Sequence, residues 1–221
     1  MKIKPLLLIL AGSILILSSC YKNETVYYDQ LDVTYTQYDT EFDFTSYTSF
    51  WLPDSTILKT NYLTDEEIDD FYKAGGTSES TLNIVKQKFM DRGYVLASDS
   101  SLASFVATPT VLMVRSTTVT YYPPGWWWGY PGYGWGYPGY GWGYSSVQSY
   151  KEGTMIIEML DGASLVELAA WNQDRANEIP ELLVRWIATI DGYVSNNGDY
   201  NLERAQRGID EAFDQSPYIK K

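Results

Sequence analysis

The chain predicts an α+β domain: a mainly antiparallel sheet with helices packed on one face, plus a long aromatic, glycine-rich hairpin insertion. Three observations lead there. Strand-like stretches come first, helix-like stretches next, and strands and a last helix close the chain, so helices and strands segregate rather than alternate. About 45% of the 221 residues are apolar, enough to fill the core of one domain. A block without charge, between Arg115 and Lys151, interrupts the pattern once.

The first strand falls in the Tyr-, Thr- and Val-rich stretch from Val26 to Tyr38. There Leu31, Val33 and Tyr35 alternate with Asp32 and Thr34, as on a half-buried strand. Asp43 to Trp51 reads as a turn entering a second strand, which Pro53-Asp54-Ser55 ends. Thr64 and Glu67 form a capping box ahead of Ile68 and Phe71, so a helix starts there. Gly75-Gly76 breaks it. A second helix runs from about Ser78 to Arg92, with Leu82, Val85 and Phe89 on one face and Gly93 as its stop. Ser104 to Tyr122 carries strand formers throughout, with Pro109 marking a bulge or an edge. Met155 to Leu160 is a further strand, closed by Asp161-Gly162. Residues 163–180 fit no single pattern. From Leu182 to Val194 one parity is apolar (Leu182, Val184, Trp186, Ala188, Ile190) and the other carries Arg185, Thr189 and Asp191, a strand with one wet face. A last helix covers about Leu202 to Phe213.

Residues 1–19 read as a signal peptide. Lys2 and Lys4 form a basic start, and Leu6 to Leu17 form an apolar stretch too short to span a bilayer, which needs ~20 residues. It ends in Leu17-Ser18-Ser19-Cys20, which resembles the lipobox of bacterial lipoproteins, and Cys20 is the only cysteine in the chain. The reading is therefore a lipid on Cys20, a tether over residues 20–25 and a single domain over residues 26–218. No aspartate follows the cysteine, since Tyr21 and Lys22 come next, so the outer membrane is the expected location. Acyl chains hold such a protein firmly, at ~0.8 kcal/mol per buried CH₂.

Composition excludes several classes. Losing Lys2 and Lys4 with the leader leaves 14 basic against 28 acidic residues, a charge of −14. That surface repels phosphate backbones, so nucleic acid is not an expected partner. With no histidine there is no Ser-His-Asp or Cys-His machinery, and the commonest transition-metal ligand is missing. One cysteine allows no intrachain disulfide. No calcium-loop, P-loop, GxGxxG, GxSxG or SxxK pattern occurs. The acids Asp65, Glu66, Glu67, Asp69 and Asp70 cluster at a helix start, where they suit the dipole. The expectation is therefore no catalytic residue, no metal and no cofactor.

Residues 121–144 are the chain's most unusual feature. The heptad PGYGWGY occurs twice unchanged, at 131–137 and 138–144. Half of the segment is Tyr or Trp and a third is Gly, which cannot make a regular helix or an ordinary core. It reads as the tip of a long hairpin. Trp126, Trp127, Trp128, Tyr130, Tyr133, Trp135, Tyr137, Tyr140, Trp142 and Tyr144 are candidate contact residues. Such rings settle at membrane–water interfaces, stack on sugars, or give a protein partner contact area at low entropy cost. A membrane leaflet, peptidoglycan or another glycan, and an envelope protein are thus the candidate partners. A low-complexity expansion without a ligand is the bland alternative.

Asp43-Phe44-Thr45-Ser46-Tyr47-Thr48-Ser49-Phe50-Trp51 resembles the opening motif of a family of bacterial lipoproteins known as domain of unknown function 4136. Arg92-Gly93-Tyr94, Gly153 to Asp161, Trp186 to Gly192 and Ile209 to Tyr218 resemble its later motifs, the last in the manner of Bacteroidetes members. Asp161 to Pro180 is extra length relative to that pattern. The resemblance implies a lipid-anchored envelope protein of α+β fold, with Phe44, Tyr47, Phe50 and Trp186 in the core and Gly93 as a helix stop. It implies no activity or substrate. The expectation is a non-enzymatic binding or scaffolding role; an envelope hydrolase acting on glycan or peptidoglycan through paired carboxylates is the alternative.

Overall fold

The computed structural model describes residues 28–115, 120–122, 144–146, 152–174 and 179–221. Its centre is a seven-stranded sheet built on three strands: β5 (Phe105–Val114), β8 (Glu152–Asp161) and β9 (Val184–Tyr193). β5 pairs antiparallel with β8 over its whole length, and β8 pairs antiparallel with β9. β1 (Val33–Tyr38) adds antiparallel to β9 and forms one edge. On the far side of β5 the pairing turns parallel: β2 (Ser49–Trp51) and β3 (Ile57–Thr60) lie beside it, and β4 (Val95–Leu96) lies parallel to β2. The sheet is thus mixed rather than purely antiparallel, with antiparallel pairing dominant. The parallel strands follow from the helices between them, because α1 (Asp65–Tyr72) and α2 (Thr77–Asp91) carry the chain back over one face before β4 and β5.

Pro109 marks neither a bulge nor an edge. It lies on a central strand, between the stretch that pairs with β2 (to Val106) and the stretch that pairs with β3 (from Thr110). A residue without an N–H is tolerated at that break. The expected Ser104–Tyr122 strand is really two: β5 ends at Val114, and β6 (Thr120–Tyr122) pairs separately with β7 (Tyr144–Ser146).

The main core lies between the sheet and three helices: α1, α2 and α4 (Gly198–Asp214). Phe50, Phe105, Ala107, Met155, Ile157, Met159, Trp186, Ala188 and Ile190 face Phe71, Val85, Phe89, Ile209, Ala212 and Phe213. Strand alternation puts the first set on one face. The family-motif residues Phe44, Tyr47, Phe50 and Trp186 are all buried there. Phe89 meets Phe50, Tyr94, Phe105, Trp186 and Phe213 at ring separations of 5.0–6.3 Å, the range of favourable aromatic contacts. α1 starts with the expected Thr64–Glu67 capping box, and Gly93 ends α2 at φ +92°, a conformation only glycine adopts cheaply.

Two expectations change. Residues 162–174 form a helix, α3 (Gly162–Asp174), and it packs on the opposite face: Leu165 and Leu168 meet Val106, Leu160 and Leu182. Helices therefore cover both faces. Asp161 starts α3 by accepting from Ser164 N at 2.8 Å, so the Asp161-Gly162 pair caps a helix instead of making a hairpin turn. Secondly, Val33 and Tyr35 are exposed, at 60% and 55%. The register sets Thr34 and Thr36 opposite the core residues Ile190 and Ala188, so Val33 and Tyr35 stand on the other face, at the sheet edge. The wet parity of β9 is half-buried at Arg185, Thr189 and Asp191, and Ile187 in the same row is buried.

The pairings fix which ends coincide. Val33 at the start of β1, Tyr193 at the end of β9, Glu152 at the start of β8 and Val114 at the end of β5 all lie at one end of the sheet. The chain leading to Cys20 and both roots of the aromatic insertion thus emerge from the same end.

Candidate functional site at the insertion end

At that end the sheet and the first turns of α4 part slightly and leave a cavity of about 130 Å³. Val111, Met113, Met155, Ile190, Leu202 and Ala205 give it apolar walls; Asp32, Thr154, Asp191, Asn201 and Arg204 supply its polar groups. Met113 and Gly153 sit one residue inside the roots of the aromatic insertion, so the cavity opens beside it.

A buried ion pair closes one side. Arg204, 6% exposed, donates from Nε to Asp32 Oδ2 at 2.8 Å and from Nη2 to Asp32 Oδ1, a bidentate pair. Its Nη1 donates to the Tyr193 carbonyl at 2.5 Å. This arrangement needs Gly192, since a Cβ there would lie 2.7 Å from Arg204 Nη2 and would overlap the Asp32 carboxylate. Asn197 caps α4 through Tyr200 N, and Asn201 Oδ1 accepts from Ser195 N at 3.0 Å, which fixes the turn between β9 and α4. Asn201 Nδ2 in turn donates to the Ser195 carbonyl.

Acids dominate the mouth. Asp191 accepts from Thr154 Oγ1 at 2.7 Å. Burial, and then the charge of Asp191, push the Glu152 carboxyl above its ordinary value. Because Arg204 is already matched by Asp32, the remaining charge at this end is negative. Among the described residues no group of three or more acids or cysteines is placed to hold a metal, and no helix is long and apolar enough to cross a membrane.

A second polar cluster lies at the opposite end. Arg185 donates from Nη1 to Asp39 Oδ2 at 2.7 Å, stacks over the Phe42 ring at 4.4 Å and lies 3.9 Å from Asp161 Oδ2. The Tyr47 hydroxyl donates to Asp161. Burial, then this bond, hold the Tyr47 hydroxyl protonated well into the alkaline range. These contacts tie β1, β9, the start of α3 and the Phe44–Ser46 turn together, a structural clamp without a cavity beside it.

Of the residues singled out in the sequence, Cys20 and the insertion residues Trp126, Trp127, Trp128, Tyr130, Tyr133, Trp135, Tyr137, Tyr140 and Trp142 lie outside the described residues. Tyr144 begins β7, paired with Tyr122. Those flanking strands bear out a hairpin at the roots of the insertion. Asp65, Glu66 and Glu67 occupy the first turn of α1, as the dipole argument expects. Sequence reasoning did not pick out Asp32, Glu152, Asp191 and Arg204. Arg204 had a readable signal: a cation on the apolar face of an amphipathic helix wants a buried partner. Asp32 as that partner, 172 positions away, was not readable.

Two comparisons with known proteins bear on this arrangement. A family model described as "Domain of unknown function (DUF4136)" matches residues 34–218. The crystal structure of a DUF4136 family protein from Bacteroides thetaiotaomicron superposes with a TM-score of 0.55 at 24% identity, covering 86% of this chain and 97% of that one. No curated protein matches the chain significantly.

Proposed function

The chain belongs to the DUF4136 family, and from that premise we propose that it is a lipid-anchored protein of the outer membrane with a non-enzymatic binding or scaffolding role in the envelope. Lipid on Cys20 holds it to the leaflet, and the aromatic insertion makes the second contact. One observation carries this reading: the approach to β1 and the roots of the insertion leave the sheet at the same end. The segment 21–27, even fully extended, spans no more than about 25 Å. An acylated Cys20 therefore keeps this end near the bilayer, where Trp and Tyr find the headgroup zone that suits an apolar body with a polar handle. The acidic surface supports contact through rings and acyl chains rather than through attraction to anionic headgroups.

The test uses the full chain expressed with its leader. Incorporation of an alkyne-tagged palmitate that Cys20→Ser abolishes supports the anchor; equal incorporation by both forms contradicts it. Full-length Cys20→Ser protein, with and without residues 123–143, is then mixed with outer-membrane vesicles and with purified peptidoglycan. Loss of vesicle binding on deletion supports the leaflet contact. Loss of peptidoglycan binding alone moves the insertion's target to glycan.

A second reading, an envelope hydrolase, has one observation in its favour. Glu152, raised beside Asp191, has the character of a general acid next to an ionised partner. Release of soluble fragments from peptidoglycan, lost in Glu152→Gln, would support it; no release leaves the binding role alone.

A further inference from the structure

We propose that the cavity between β5, β8, β9 and the first turns of α4 is a binding site for a small ammonium ion carried on a short apolar stem. Size sets the first limit: a dry cavity of about 150 Å³ holds a benzene-sized guest, and this one measures about 130 Å³. The walls formed by Val111, Met113, Met155, Ile190, Leu202 and Ala205 suit a ring or a branched chain, not a sugar.

The polar groups choose the sign of the head. Arg204 is the only cation lining the cavity, and all three of its guanidinium nitrogens already donate, to Asp32 and to the Tyr193 carbonyl. A carboxylate or phosphate guest would have to compete with Asp32 for it. Asp191 is the open acceptor: Thr154 donates to Oδ1 and leaves Oδ2 for a guest. Tyr193 also lines the cavity, and an aromatic ring face attracts cations. Glu152 adds negative charge beside Asp191, and its raised carboxyl reflects repulsion that a bound cation would relieve. A neutral guest gains the apolar contact without this electrostatic part. The proposal goes beyond the anchoring role and does not depend on it.

The experiment uses full-length protein in lipid nanodiscs with three probes of one shape: benzylamine, benzyl alcohol and benzoate. Ligand-observed NMR gives each affinity. Benzylamine should bind at least about 10-fold more tightly than benzyl alcohol, a difference of about 1.4 kcal/mol, and benzoate should not bind. Asp191→Asn keeps the side-chain size and should bring benzylamine down to the level of benzyl alcohol. Ala205→Leu fills the cavity and should abolish binding of both; Leu202→Phe replaces it if circular dichroism shows that Ala205→Leu does not fold. Equal affinity of amine and alcohol, preference for benzoate, or binding that survives filling would each overturn the proposal. So would the absence of any benzylamine binding. Since lipidation is not read out, failure here leaves the anchoring reading intact.

Discussion

Arg92 gives the sharpest test of how the fold closes. It follows α2, in the Arg92-Gly93-Tyr94 motif, yet its guanidinium serves the other end of the chain. Nη1 donates to the carbonyls of Ser216 at 2.9 Å and Ile219 at 3.2 Å, and Nη2 to that of Phe213 at 2.5 Å. It also stands 5.7 Å from the Phe213 ring centroid. Lys221 N returns a bond to the Arg92 carbonyl at 3.0 Å. One side chain thus satisfies carbonyls that the end of α4 leaves without helical partners, and locks a tail whose Ile219 is fully buried. Hydrogen bonds from a charged donor contribute ~1.5–3 kcal/mol each, but they are not additive and water can replace some of them. Arg92→Met should therefore cost about 2–4 kcal/mol, a fall in Tm of about 5–15 °C for a chain of this size. Arg92→Lys has a point charge instead of a fork and should lose roughly half as much. Thermal melts by far-UV circular dichroism, with carboxypeptidase digestion of the tail, measure both. A Met variant that melts within about 1 °C of wild type, with an equally resistant tail, would refute the reasoning.

Three other perturbations have signs fixed by the structure. Gly208→Ala gains helix propensity of ~1 kcal/mol, but its Cβ would overlap Ile190 Cγ2 and lie 3.2 Å from Cγ1, so the overpacking cost of ~1–3 kcal/mol wins; a cycle with Ile190→Ala should show the two changes to be less than additive, and additivity would contradict the contact. Glu152 has a raised folded-state carboxyl, so its ionisation opposes folding above that pKa and matters little below the unfolded value; Glu152→Gln should raise Tm near pH 7 and leave it unchanged near pH 4. Tyr94 donates to the Phe44 carbonyl, and burial pushes its hydroxyl up to about 12, against an opposing effect of Arg92. Its protonated form is the folded one, so stability should fall as pH rises from about 10 towards 12; Tyr94→Phe should flatten that part of the pH–stability curve, and an unchanged curve would count against the burial argument.

What could be read from the sequence was local. The Thr64–Glu67 box, the Gly93 stop and the apolar parity of Trp186, Ala188 and Ile190 each need only a few neighbouring residues, and each stands in the structure. Val33 and Tyr35 misled because alternation says which residues share a face but not which face is covered. The covering helix α4 lies 160 positions downstream, and its cap residue Gln215 bonds the Thr34 carbonyl. Pro109 was misplaced for a related reason: the gap between β2 and β3 is a property of three strands, not of one. The α3 segment gave no clear pattern because its helix is apolar on average and packs only Leu165 and Leu168 deeply. The cavity is the least readable feature, since its floor depends on the absence of side chains at Gly153 and Gly192, and on an ion pair that joins β1's approach to α4.

The most direct measurement of the account is the orientation of the anchored domain. In β8, ten residues span the sheet from one end to the other, about 33 Å at the rise of a strand, which energy transfer resolves. Dyes are placed singly on full-length, lipidated protein in vesicles, at Asn196→Cys beside the end of β9 and at Glu41→Cys beyond the end of β1, with an acceptor in the headgroups. The account predicts strong transfer from position 196, weak transfer from position 41, and a smaller difference once residues 123–143 are removed. Equal transfer from both positions, or stronger transfer from position 41, would contradict it.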